Sequence, residues 1–328
     1  MRVRHPIAII GGGLSGLVAA RALSDAGRRA VVLEAGPALG GRLATMRAGG
    51  AVLDHGAQFF TVRSDAFAAF VDELARAELA YEWCRGFEVE DGYPRYAVRG
   101  GMDRLAAHLG AGLAGAEGVE VRLGTEVAAV SPGAEGWRVR WPGGQLTAAA
   151  VLSTAPVPRS LALLDAGGTE LDGGVGPGLR ALEYHRVLAV LARLDRPSAV
   201  PEPGGRQLSD GLFSFVADNQ RKGISAKPAV TLHASHGLSA ARWEDDPEAT
   251  LVDLVAEARP WLGDAAVLDA ELVPWRYSGP VEPWPERACA AAVAPGPLVL
   301  AGDAFGGPKV EGAFLSGLAA AERLLADG

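Results

Sequence analysis

The chain is poor in cysteine, lysine and long apolar runs, and each shortage closes off a class of function. Its two cysteines, Cys84 and Cys289, stand far apart, which excludes a disulfide framework and a thiolate metal cluster. The six histidines show no zinc-ligand spacing; His233 and His236 come closest and lack a third ligand, so no metal is expected. No apolar run is long enough to cross a bilayer. Basic charge is also short: 31 Lys and Arg face 39 Asp and Glu, and a net charge of -8 repels nucleic acid and anionic lipid alike. Neither is expected as a partner. Lys222, Lys227 and Lys309 are the only lysines, an arginine bias that fits GC-rich coding better than a functional signal. A first strand beginning at Pro6 leaves no room for a signal peptide, so a cytoplasmic location is expected.

Glycine is what the chain has in quantity, and its placement carries the argument. Ile7 to Ile10 is a wholly apolar run of the kind that forms a buried parallel strand, and it leads into Gly11-Gly12-Gly13-Leu14-Ser15-Gly16. On this GxGxxG, Gly11 permits the tight turn, Gly13 admits a pyrophosphate and Gly16 lets the next helix sit close. Leu14, Leu17, Val18 and Leu23 follow at helical spacing, Gly27 ends the helix, and Ala30 to Leu33 is a second strand. Glu34 closes it. A carboxylate there accepts from both ribose hydroxyls of an adenosine and repels a 2'-phosphate, so a dinucleotide other than NADP is expected. Gly40-Gly41-Arg42 forms a second glycine turn, in which Arg42 is placed to meet the diphosphate.

At 328 residues the chain suits two lobes. Asp54 to Thr61 has no helical or strand period and reads as a loop lining a cavity; His55 lies in it, with no catalytic role assigned. Asp65 is expected to cap a helix bearing Phe67, Phe70, Val71 and Leu74. Residues 119–123, 126–131, 136–141 and 145–153 read as four strands of a meander, with Val127 placed to meet an adenine edge. The meander ends near Thr154 in small residues able to lie against a flat ligand. Strands are expected at 187–191, 212–216 and 230–233, and one helix over 248–261. The last strand ends in Gly302-Asp303, a polyol-binding corner, before a helix from about Val310 to Ala326. A second anchor so far from the first favours FAD over NAD, because the ribityl chain of a flavin nucleotide needs one. A helix start at 310–313 would favour the anion of a reduced flavin.

On these residues the chain resembles the amine-oxidase-like flavoprotein superfamily. Asp54 to Thr61 (DHGAQFFT), Ala217 to Lys222 (ADNQRK) and Val310 to Gly317 (VEGAFLSG) are similar to the renalase family, especially its bacterial members. The resemblance implies an α/β protein: a Rossmann-type FAD lobe with an inserted β-meander, and an α+β substrate lobe on a mixed or antiparallel sheet. It places residues 1–62, 100–160 and 286–328 in the FAD domain, 63–99 and 161–285 in the substrate domain. It implies noncovalent FAD held by Gly11, Gly13, Leu14, Ser15, Gly16, Glu34, Ala35, Gly41, Arg42, Gln58, Phe59, Val127, Thr154, Asp303, Val310, Gly312 and Ala313. The implied activity is oxidation of 2- and 6-dihydro isomers of NAD(P)H by hydride transfer to flavin N5, with O2 reduced to H2O2. Such chemistry removes no proton from carbon, so a cradle that aligns the rings suffices. Asn219, His233, Trp275 and Tyr277 are the candidates to contact substrate, and no residue is assigned as catalytic. Lys309 could hold an amine-oxidase-like water, although a lysine in a glycine turn is more often solvated. The alternatives are an amine oxidase or desaturase of the same superfamily, and a flavin-binding scaffold or sensor without turnover.

Overall fold

The computed structural model describes residues 5–326; the outermost residues of the expected FAD domain, 1–4 and 327–328, lie outside it. The chain begins with β1 (Ile7–Ile10), α1 (Leu14–Asp25) and β2 (Ala30–Leu33). A hairpin of β3 (Thr45–Ala48) and β4 (Ala51–Asp54), α2 (Asp65–Arg76), a hairpin of β5 (Ala80–Cys84) and β6 (Arg95–Val98), and α3 (Asp103–Ala114) follow. Next come β7 (Val119–Arg122), β8 (Ala129–Gly133), β9 (Gly136–Trp141), β10 (Gly144–Ala148), β11 (Ala150–Ser153), α4 (Val157–Gly167) and α5 (Val175–Arg180). Then β12 (Tyr184–Leu194), β13 (Gly205–Gln207), β14 (Phe213–Asp218) and β15 (Ala229–Ala234) precede α6 (His236–Ala241), α7 (Pro247–Glu257) and α8 (Arg259–Leu262). The chain closes with β16 (Val267–Pro280), β17 (Cys289–Ala292), β18 (Leu298–Leu300) and α9 (Lys309–Ala326).

The described residues form two compact units, one of those up to 41, 106–183 and from 280 on, the other of 42–105 and 184–279. The first is built on a six-stranded sheet in the order β17-β18-β11-β1-β2-β7. Five strands run parallel and β17 is antiparallel. The fold is α/β with a Rossmann-like sheet, as expected. Every residue of β1, β2 and β11 is buried, which is why these runs carry no polar alternation. The chain leaves β1 toward β2 on one side, while β11 lies on the other, so the strand order reverses at β1.

The meander is smaller than its sequence suggests. Residues 119–122 pair with β2 in the parallel sheet, and the run 145–153 breaks into β10 of the meander and β11 of the main sheet. Three strands, β8 to β10, remain. Val127 precedes β8 rather than lying in it. Ser64, not Asp65, is the N-cap of α2, its hydroxyl accepting from the Phe67 N–H.

The second unit rests on the sheet β13-β14-β15-β12-β16. Leu188, Val190, Ala192, Leu194, Val230 and Leu232 form one core with Leu254 of α7 and Leu262 of α8. The alternate residues face the other way, where Leu191 and Val273 pack on Ala51 and Leu53 of the β4 hairpin. The helix expected over 248–261 divides at Ala258, where Pro260 has no N–H to continue it.

Candidate functional site

In the first unit, the carboxyl ends of β1, β11 and β18 align through the pairs Ile10 with Ser153 and Ser153 with Leu300. This brings Gly11, Thr154 and Gly302-Asp303 to one edge. Gly11 has φ +107, and a Cβ there would meet Thr154 Oγ1 at 2.7 Å. At Gly16 a Cβ would overlap the Gly11 carbonyl oxygen, so that glycine seats α1 against its strand. Gly13 is different. A Cβ at Gly13 would meet nothing within 4 Å, so this glycine faces open space. Gly40 pairs with Gly13 and donates its N–H to the Gly12 carbonyl (2.9 Å), drawing the second glycine turn onto the first.

Glu34 grips the same turn: its carboxylate oxygens accept the N–H groups of Gly12 (2.6 Å) and Gly36 (2.7 Å). Each oxygen keeps a further lone pair for a ribose hydroxyl. The segment leading to Val127 runs beside it, the Thr125 N–H donating to the Glu34 carbonyl (2.7 Å) and Gly124 to Gly36 (2.9 Å). Helix α9 starts beside α1: the Ser15 hydroxyl donates to the Ala313 carbonyl (2.7 Å), and a Cβ at Gly317 would sit 2.5 Å from the Ser15 carbonyl oxygen. Gly312 is glycine because its turn folds onto Gly307, leaving no space for a Cβ. Lys309 is exposed.

The second unit contains a polar network centred on Asp54. The Asp54 carboxylate accepts from Lys222 Nζ (2.6 Å), Thr45 Oγ1 (2.6 Å) and the Met102 N–H (2.8 Å). The Asp54 carbonyl accepts from Gln58 Nε2 (2.6 Å) and Thr231 Oγ1 (2.9 Å). One residue on, the His55 carbonyl accepts from Trp275 Nε1 (2.7 Å) and His233 Nε2 (3.1 Å), which fixes His233 as the Nε2–H tautomer. The His55 and Trp275 rings stack at 5.4 Å.

Burial sets the ionisation here. It pushes His233 down to about 4 and lowers His55 and Lys222, the last against the raising effect of Asp54. Tyr81, whose hydroxyl donates to the Lys222 carbonyl, is pushed up to about 12 by burial.

Of the candidate substrate contacts, His233 and Trp275 come together on the His55 carbonyl. Asn219 is 0% exposed, its Nδ2 donating to Thr231 Oγ1 (3.0 Å) and its Oδ1 buried without a partner, which places it in the wall of the network. Tyr277 packs edge-on against Tyr184 (5.4 Å) and its carbonyl accepts from Arg42 Nη1 (3.0 Å). Gln58 belongs to the Asp54 network, and Phe59 packs among Trp83, Phe87 and Phe215. Asp54, Thr231 and Lys222 were not singled out from sequence. Asp54 and Lys222 do lie in two of the renalase-like strings, Asp54 to Thr61 and Ala217 to Lys222, which is the signal that could have found them.

A family model for flavin-containing amine oxidoreductases matches residues 75–325, and one for NAD(P)-binding Rossmann-like domains matches residues 9–74. The chain belongs to the flavin-containing amine oxidoreductase family. The family's description makes FAD the expected cofactor of this chain. A putrescine oxidase from Kocuria rosea is 39% identical over 72 residues, a stretch that spans 22% of this chain and only 15% of that protein. A candidate protoporphyrinogen oxidase from Exiguobacterium sp. 255-15 shares the fold at TM-score 0.75 and 14% identity, over 100% of both chains. A putrescine oxidase structure with putrescine bound superposes at TM-score 0.72 and 17% identity, covering 99% of each.

The residues of this family member fit the cofactor. The open face of Gly13, the glycines gathered on it and the Glu34 carboxylate form a cradle that a Cβ at Gly13 would fill. Asp303, at the end of β18, lies on the same sheet edge two strands from β1, and α1 and α9 both begin there. Among the described residues no group of three or more His, Cys, Asp or Glu side chains could hold a metal, and no helix is long and apolar enough to cross a membrane.

Proposed function

We propose that the chain is a renalase-like oxidase that converts 2- and 6-dihydro isomers of NAD(P)H to NAD(P)+, O2 becoming H2O2. The first unit would hold noncovalent FAD through Gly11, Gly13, Gly16, Glu34 and Asp303, and the second would cradle the substrate. When bound, the flavin supplies the hydride acceptor and afterwards the electron pair for O2. The observation that carries this reading is that two of the three renalase-like strings, Asp54 to Thr61 and Ala217 to Lys222, meet in one buried network through the Lys222–Asp54 ion pair.

The side chains of that network support a hydride donor over a substrate that must lose a proton. His233 is neutral at pH 7 with its Nε2–H given to His55, which leaves Nδ1 as an acceptor for a carboxamide N–H. Trp275, held by its indole N–H and stacked on His55, offers a fixed flat face for a ring. Lys222 is committed to Asp54. Cys289 is buried in β17 with its thiol pushed up to about 11 by burial, which disfavours it as a flavin attachment point.

Amine oxidation is the second reading, favoured by the putrescine oxidase relative. The test is to mix the FAD-loaded protein anaerobically with 6-dihydro-NAD, ordinary NADH or putrescine and follow flavin absorbance. Bleaching by the isomer alone is the expected result, and bleaching by putrescine alone would establish the second reading instead.

A further inference from the structure

Asp54 gathers five hydrogen bonds from five other segments of the second unit: β3, the start of α3, the loop after β4, the strand that carries Thr231 and the turn that carries Lys222. Its neighbour His55 takes two more through a single carbonyl. Lys222 is itself held from behind. The Tyr81 hydroxyl donates to its carbonyl, its N–H donates to the Asp218 carbonyl (2.8 Å), and Nζ lies 5.5 Å over the Trp83 ring. Its turn is tied by Asp218 Oδ1, which accepts the N–H groups of Gln220 and Arg221 (both 2.9 Å).

Stability alone is a weak reason for this arrangement. Both side chains of the ion pair are 0% exposed, and a matched apolar pair commonly serves a core as well or better. The pair does supply direction. A charged bond between two rigidly held partners fixes Asp54, and the His55 carbonyl lies one peptide further along the same backbone.

We propose that Asp54 and Lys222 are positioning residues: they set the His55 carbonyl where His233 and Trp275 converge, and through it the orientation of both rings. The proposal rests on the reading of those rings as the substrate cradle. Neither residue touches substrate in this scheme. Thr231, bridging the Asp54 carbonyl and Asn219, belongs to the same frame.

The test uses the full-length FAD-loaded protein with two variants. The double substitution Asp54→Asn with Lys222→Met removes both charges together, and the near-isosteric Thr231→Val removes one hydroxyl. Three quantities are measured: hydrogen exchange of the Trp275 indole N–H by NMR, assigned with Trp275→Phe; the limiting rate and half-saturation of anaerobic bleaching by 6-dihydro-NAD; and the melting temperature. In the double variant, indole exchange should accelerate at least about tenfold. The limiting rate should fall about 100-fold, the loss typical of a small misplacement, with half-saturation within about threefold of wild type. Thr231→Val should move both in the same direction by about tenfold or less. Unchanged exchange in both variants overturns the proposal, as does an unchanged limiting rate where exchange has risen. If the double variant does not fold, Thr231→Val decides alone. If wild-type protein is not bleached by the isomer, the cradle reading fails, and indole exchange still tells whether Asp54 and Lys222 position Trp275.

Discussion

His233 shows how one residue ties the site to solution conditions. Its folded pKa of about 4 lies below the ordinary 6.5 because burial disfavours the imidazolium and the nearby His55 and Lys222 charges reinforce that, against the raising effect of its bond to the His55 carbonyl. Between those two values the unfolded chain binds a proton that the folded chain refuses. Stability is therefore complete above about pH 6.5 and falls as pH drops toward 4, by up to about 3 kcal/mol. His233→Gln keeps an N–H for the His55 carbonyl and cannot ionise. Its melting temperature should fall less than that of wild type between about pH 7.5 and 5, and equal falls would show that His233 is not the titrating group. Residues like this one are half-legible in sequence: His233 could be named, but not the carbonyl that holds it. Asp54 stood in a loop already marked as cavity-lining, yet nothing local shows that a carboxylate at a strand end will meet a lysine far along the chain.

The strand, turn and helix at the N-terminus are the most legible element, because each of their glycines answers a separate physical demand. β1 and β2 have the expected boundaries, since four consecutive apolar residues beside a glycine turn have few other uses. Sheet membership was harder. A short run such as Val119 to Arg122 pairs as well with a meander as with β2, and only the assembled sheet decides. The two glycines separate cofactor binding from folding. Gly13→Ala adds a methyl into open space at an ordinary φ of -76, so the apoprotein should melt within about 1–2 °C of wild type while FAD affinity drops at least about tenfold. Gly16→Ala drives a Cβ into the Gly11 carbonyl and should cost about 1–3 kcal/mol in the apoprotein itself. Melting curves and FAD titrations of both variants check this. A Gly13→Ala protein that binds FAD like wild type would remove the glycine turn from the diphosphate site.

For the whole molecule, family and cofactor follow from parts of the chain that are far apart, whereas substrate depends on details that relatives of this fold vary freely. Structures at 14–17% identity share the architecture from end to end, and an architecture hosts many chemistries. In the proposed site the cofactor, by contrast, would draw on β1, the Glu34 turn, β11, β18 and α9, so its binding should couple to the stability of the first unit. A ligand that binds only the folded chain adds RT ln(1 + [L]/Kd), about 1.4 kcal/mol for each tenfold rise in free FAD above Kd. Protein stripped of FAD should therefore melt lower than the loaded form, and its melting temperature should climb with the logarithm of added FAD. Gly13→Ala should follow the same slope from a higher starting concentration, because the methyl weakens binding without loosening the apoprotein. NAD at equal concentrations should give a smaller rise, since it has no ribityl chain to reach Asp303. A melting temperature indifferent to FAD in the wild type would mean that these distant segments do not share one ligand.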